Sequence, residues 1–190
     1  MGSLSRRRGR PSANLFTLLL ALAASAFQGD PRALAAQADG DRRVKAAFVV
    51  NFLSFVEWPP SKLAAPPAPL IVAVINDKEF AALLEGLLAG RTVGKHAAVV
   101  KVVSGAAAAR DAHAVFIPTS EARALPAILR ELSTSPVLTI GDTEGFARDG
   151  VALNLYTLDR RIRIEANSTA AARAGLRLSA NLMRLARIVE

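Results

Sequence analysis

The sequence predicts an α/β protein: a single-domain sandwich with a largely parallel mixed sheet flanked by helices, plus a late β-hairpin. Three observations predict it. Short continuous apolar runs, LIVAVI at Leu70–Ile75, AHAVFI at 112–117 and PVLTI at 136–140, suit strands buried on both faces. Helix-period segments stand between them, the alternation expected of a parallel sheet. After Gly150 two strand-like runs, 151–156 and 161–166, flank a short polar connection at 157–160, which reads as a hairpin.

The chain opens on a leader. Arg6, Arg7, Arg8 and Arg10 form a basic start, and 15–27 is an apolar block. That block is too short to cross ~30 Å of hydrocarbon as a helix. Ala33-Leu34-Ala35 then supplies an A-x-A cleavage pattern. These features predict a secretory signal peptide over 1–35 and a mature domain over 36–190. A mitochondrial transit peptide is the rival, and the compact apolar block argues against it. The formal net charge is +8, but the first 35 residues hold five Arg and one Asp, so the remainder carries only +4. No dense Lys/Arg patch with interleaved aromatics remains, so nucleic-acid binding is unsupported. Cysteine is absent. The fold must therefore be stabilised by packing alone, and thiol catalysis and thiolate metal sites are excluded within this chain.

Residues 45–60, KAAFVVNFLSFVEWPP, hold the only Trp and three of the eight Phe. Val44, Phe48, Phe52, Phe55 and Val56 recur on one helical face, and Val49, Val50 and Leu53 fill much of the rest. The spacing predicts a helix N-capped by Asp41 and stopped by Pro59-Pro60, since Pro59 disfavours helical geometry at Trp58. Asn51 interrupts the apolar surface, either as a core amide or as a contact to a ligand or partner. Trp58 is read in the same two ways, as core or as an anchor.

The remaining elements follow in order. A Pro/Ala-rich connector at 61–69 leads to the strand Leu70–Ile75 and then a helix over Lys78–Leu88, capped by Asn76 or Asp77 and ended by Gly90. A strand is expected over 97–103, an Ala-rich connection over 104–111, and a strand over 112–117 stopped by Pro118. Thr119 or Ser120 caps a helix over 121–132. The strand 136–140 precedes Gly141-Asp142 and a helical turn at 143–148. In the second hairpin strand Ile162 and Ile164 point one way and Arg161, Arg163 and Glu165 the other, so one sheet face is wet or partner-covered. Asn167 or Ser168 caps a C-terminal helical region with a break at Gly175.

No catalytic constellation emerges. There is no Gly-x-Gly-x-x-Gly after the first strand and no phosphate loop; the segment from Gly90 to Lys95 follows a helix and precedes a strand, the reverse of the required order. His96 and His113 lie on separate elements without metal-ligand spacing, and Ser120 is not in a nucleophile elbow. Asp77 and Asp142 each follow a strand's carboxyl end, where a metal or carboxylate-pair site is conceivable, yet capping and turn roles account for both. No catalytic residue, metal ligand or cofactor is assigned, and the chain reads as a non-enzyme.

Five segments in order, KAAFVVNFLSFVEWP, LIVAVINDKEFAALLEGLLAGRTV, AHAVFIPTSEARALPAILREL, PVLTIGDTEGFARDGVALNL and RRIRIEANSTAAARAGLRLSANLMRLA, resemble the YfiR-like family. The resemblance covers 44–186. It implies a small periplasmic α/β regulator that represses a membrane-bound diguanylate cyclase by binding its periplasmic sensor part, lowering cyclic di-GMP without doing chemistry. Disulfide-based control known in related members does not carry over to a chain without Cys. The implied partner is an inner-membrane signalling protein, met through exposed parts of the first helix or the alternating 161–165 face. Asn51, Trp58, Arg161 and Arg163 are the candidate contacts. A second reading is a small-molecule binding module with an apolar pocket between the first helix and the sheet, where Asn51 and the arginines orient a ligand. An exposed apolar first helix would also favour a homodimer.

Overall fold

The structure is a computed structural model that describes residues 31–63 and 65–190. The basic start and apolar block of the expected leader lie outside the described residues. Two compact units are distinguished, Met1–Asp39 and Gly40–Glu190. In the first, residues 31–39 are helical.

The elements, in chain order, are α1 (Pro31–Phe52), β1 (Val56–Glu57), β2 (Leu70–Ile75), α2 (Lys78–Leu88), β3 (Thr92–Val93), β4 (His96–Val103), β5 (Ala114–Ile117), α3 (Leu125–Leu132), β6 (Leu138–Gly141), β7 (Leu153–Leu158), β8 (Arg161–Asn167), α4 (Ser168–Arg173), β9 (Arg177–Leu178), α5 (Ala180–Leu185) and β10 (Arg187–Val189). Eight strands form one sheet in the order β10-β8-β7-β6-β5-β2-β4-β3, and β1 pairs with β9 in a two-stranded ribbon. The neighbours from β7 to β4 are parallel, β8 returns antiparallel to β7, and β3 is antiparallel to β4. The expected fold class is the observed one.

Strand periodicity sorts the core into two layers. Leu70, Val72 and Val74 of β2 face one side with Phe116, Ile140, Leu153 and Leu155, under α1, α2, α4 and α5. Ala73 and Ile75 face the other with Val115 and Ile117, under α3 and the Ala106–Ala112 and Phe146–Val151 segments. Phe80 of α2 stacks on Phe116 with ring centroids 3.8 Å apart and fixes that helix on the sheet.

Several boundaries depart from expectation. The first helix begins at Pro31 rather than near Asp41, so Asp41 lies inside α1 instead of capping it. It also ends at Phe52, before a 3-10 turn at Leu53–Phe55. Val56 and Glu57 then extend to pair with Leu178 and Arg177, and Ser179 N donates to Phe55 O. A strand partner far along the chain overrides the helical periodicity there. The helix expected from residue 121 splits into a 3-10 turn at Thr119–Glu121 and α3, which starts where Pro126 occupies the first turn. The hairpin loop is two residues, Asp159 and Arg160, both left-handed at φ 50° and 59°, as a type I′ turn requires. The C-terminal helical region is two short helices separated by β9 and followed by β10.

Candidate functional site

At the carboxyl ends of β2 and β6, where open parallel sheets place ligands, the structure gathers charged and hydroxyl groups. Asp77 caps α2 by accepting from Phe80 N at 2.9 Å, and both its oxygens accept from Arg42 Nη2 of α1, at 2.8 and 3.0 Å. The Arg42 guanidinium also lies 5.5 Å from the Phe80 ring centroid. Asp142 accepts from Thr119 Oγ1 at 2.9 Å, and Lys45 Nζ stands 3.8 Å from its other oxygen. Asn76, left-handed at φ 51°, donates to Glu121. Asp77 and Asp142 thus serve as anchors for two cations of one helix. Among the described residues no group of three or more His, Asp or Glu converges as a metal site.

Beside this edge a buried polar pair links β7 and β8. Asn154 is fully buried; its amide donates to Thr143 O at 2.8 Å and to Glu165 Oε2 at 3.3 Å. Its Oδ1 has no hydrogen-bond partner and faces Gly141, where a Cβ would sit 3.0 Å from it and 2.7 Å from Phe146 Cδ2. Gly141 is therefore required by close approach. Glu165 is 2% exposed, with Arg187 Nη1 4.0 Å away.

The structure separates the four residues singled out from sequence. Arg161 and Arg163 stand exposed on β8 and make no ion pair among the described residues. Arg163 edges a groove of about 420 Å³ lined by Tyr156, Leu158, Ile162, Ile164, Leu185 and Arg187. Leu185 is 70% exposed, the most of any large hydrophobic side chain among the described residues. The outer side of β8 is open here because β10 pairs only with Glu165–Asn167. Asn51 is exposed on α1, away from the groove. Trp58 is buried; its Nε1 donates to His113 O at 2.8 Å and its ring meets the His113 ring edge-on.

Sequence reasoning missed Leu158, Leu185 and Arg187 as groove residues. The available signal was the apolar excess of 182–185, more than a short helix can bury. The space between α1 and the sheet is filled by Ala46, Val49, Val50 and Leu53. An apolar groove of about 440 Å³ lies instead beyond the helix end, lined by Leu53, Val56, Trp58, Leu63, Leu70 and Val93, with Glu57, Lys95 and His96 at its rim.

His113 lies between these regions. Its Nδ1 accepts from Ile71 N at 2.9 Å, so Nε2 carries the proton and donates to Lys62 O at 3.2 Å. Burial pushes the imidazole below its ordinary value of 6.5, and the neighbouring Lys62 and His96 charges act in the same direction against the Lys62 carbonyl.

Comparison with known proteins gives no match to any curated protein. Solved structures to which the chain is similar include two. A conserved domain protein from Vibrio cholerae O1 biovar eltor str. N16961 is 13% identical with a TM-score of 0.51, covering 66% of this chain and 56% of its own. The ABC domain in complex with L-Trp from Streptococcus pneumonia is 11% identical with a TM-score of 0.47, covering 68% and 58%. The chain thus spans a little over half the length of each. The first likeness is one of fold alone. A profile described as YfiR/HmsC-like matches residues 42–187, nearly the whole of the second compact unit. The chain belongs to the YfiR/HmsC-like family.

Proposed function

We propose that this chain is a non-enzymatic periplasmic regulator. It docks on the periplasmic sensor part of an inner-membrane signalling protein of the diguanylate cyclase or kinase type and so modulates cyclic di-GMP signalling. Family membership supports the regulatory class. The observation that carries the docking reading is the β8 flank, where the unpaired Arg163 borders an apolar groove that ends in an exposed leucine and Arg161 stands exposed two residues before it. Arginine beside exposed apolar surface is the composition of protein interfaces. In this reading Arg161 and Arg163 contact the partner, Asn51 contributes from α1, and Trp58 acts from beneath by holding the 53–58 segment. Export by a signal peptide over 1–35 completes it; cleavage after Ala35 would leave α1 starting at Ala36.

Arg163→Glu tests it. The side chain is exposed, so stability should change by less than ~0.5 kcal/mol. Capture of a membrane signalling protein from detergent-solubilised cells should fall at least tenfold. Unchanged capture of the same protein would remove β8 from the contact.

A second reading, a small-molecule binding module, is favoured by the groove beside Trp58, which is apolar inside with charge of both signs at its rim. A small apolar ligand that raises Tm in the wild type and not in Leu63→Glu would support it. A bound ligand of this kind can also gate the partner contact.

A further inference from the structure

The opposite end of the sheet is open as well. β4 has β2 on one side from Ala98 to Val103, but on the other only the two residues of β3, which meet His96 and Ala97. From Ala98 to Val103 no strand among the described residues lies alongside the outer edge. Val103 O accepts from Asn76 N on the β2 side. Because backbone groups of successive strand residues alternate in direction, the N–H and C=O of Ala98, Val100 and Val102 point outward. The approach is clear: a groove of about 510 Å³ runs along the edge, floored by 97–100 and walled by Leu88–Thr92. Val99 and Val102 are 40% and 43% exposed, on opposite faces of the strand. The edge thus offers unpaired backbone groups and aliphatic side chains over about five residues.

We propose that this edge receives an extended, aliphatic segment of the partner protein carrying an acidic side chain, which adds as a strand in line with β3. The inference rests on the docking function proposed above and adds a second, chemically distinct contact to it. Backbone hydrogen bonds to Ala98, Val100 and Val102 supply register, and apolar side chains of the segment cover Val99 and Val102. Charge selects the occupant. Lys101 is the one charged residue of the open stretch, and Arg91 and Lys78 stand near the edge against Glu79 and Glu85. A carboxylate opposite Lys101 is an attractive cross-strand pair. A second copy is disfavoured by the same residue. Antiparallel self-pairing centred on Lys101 sets two ammonium groups face to face. Centring on Val100 leaves them on one face at a diagonal of about 7–8 Å. A lysine in an open edge is a known device against self-association.

The test uses the mature chain, residues 36–190, and two synthetic peptides, Ac-Thr-Val-Val-Val-Glu-Val-Val-amide and the same peptide with Lys for Glu. Binding is followed by fluorescence polarisation and by residue-resolved amide exchange. The Glu peptide should bind at least tenfold more tightly than the Lys peptide. It should protect the amides of 98, 100 and 102, which exchange quickly in the free protein, while those of 99, 101 and 103 are already slow. Lys101→Glu should reverse the peptide preference. Val100→Pro removes an outward N–H without touching the β2 ladder, and should weaken binding at least tenfold. Equal binding of both peptides, protection elsewhere, no binding by either, or a concentration-dependent dimer through this edge would each overturn the proposal. The Arg163→Glu capture experiment reads the β8 contact independently, so either surface can fail while the other stands.

Discussion

At one end of the main sheet β4 shows valines and one lysine to solvent; at the other, β8 shows arginines above a leucine-ended groove. Both ends are strands with part of their outer side open, and both are partly covered by a very short strand, β3 in one case and β10 in the other. They differ in charge density. β8 and its neighbours carry Arg160, Arg161, Arg163 and Arg187, whereas the open part of β4 carries Lys101 alone. Dense like charge keeps an edge from self-association and draws an acidic surface over distance. A single charge among aliphatic side chains filters occupants by local match. The comparison teaches that an unfinished edge can be guarded in two ways, and that the guard indicates what it admits.

The largest effect should come from undermining the β4 end. Phe80 stacks on Phe116 and holds α2 against that half of the sheet. Phe80→Ala should cost roughly 3–5 kcal/mol, read by urea denaturation, and amide exchange should quicken in β2 and β4 before β8. Uniform loosening of both ends would break the comparison.

A middle-sized effect belongs to pH. The folded protein holds His113 below its ordinary value of 6.5, so the unfolded chain binds the proton more readily. Its contribution to stability is complete above that value and is lost as pH falls from there toward the depressed folded value. Protonation also turns Nδ1 into a donor facing the Ile71 N–H. Tm should decline as pH is lowered through this window, and the decline should flatten in His113→Asn. An unchanged slope in the variant would assign the effect elsewhere.

The smallest effect lies at the tip of the β8 end. Arg160 is left-handed at φ 59° in a turn that favours glycine. Arg160→Gly should stabilise by a few tenths to about 1 kcal/mol in thermal denaturation. It should leave partner capture less changed than Arg163→Glu does. Equal losses in the two would mean that charge anywhere on this flank suffices.

The elements legible in the sequence were those set by local signals. β2 and α2 match their expected bounds because LIVAVI is a continuous apolar run and Asp77 stands three residues before the amide it caps. The end of α1 was not legible, since β1 exists only by pairing with β9. β3, β9 and β10 are two or three residues long and carry no periodicity of their own. The exposure of Arg161 and Arg163 followed from strand alternation. The groove beside them did not, because Leu185 and Arg187 arrive from α5 and β10.

Arg42 and Lys45 reach from α1 to the carboxyl ends of β2 and β6 and hold Asp77 and Asp142 there. In many sheets of this build that crevice is the berth for a nucleotide or a metal. Here the molecule has moored its own leading helix in it, with two basic side chains in the place of cargo. An anion arriving from solvent would meet carboxylates already engaged, and a cation would have to evict a residue first.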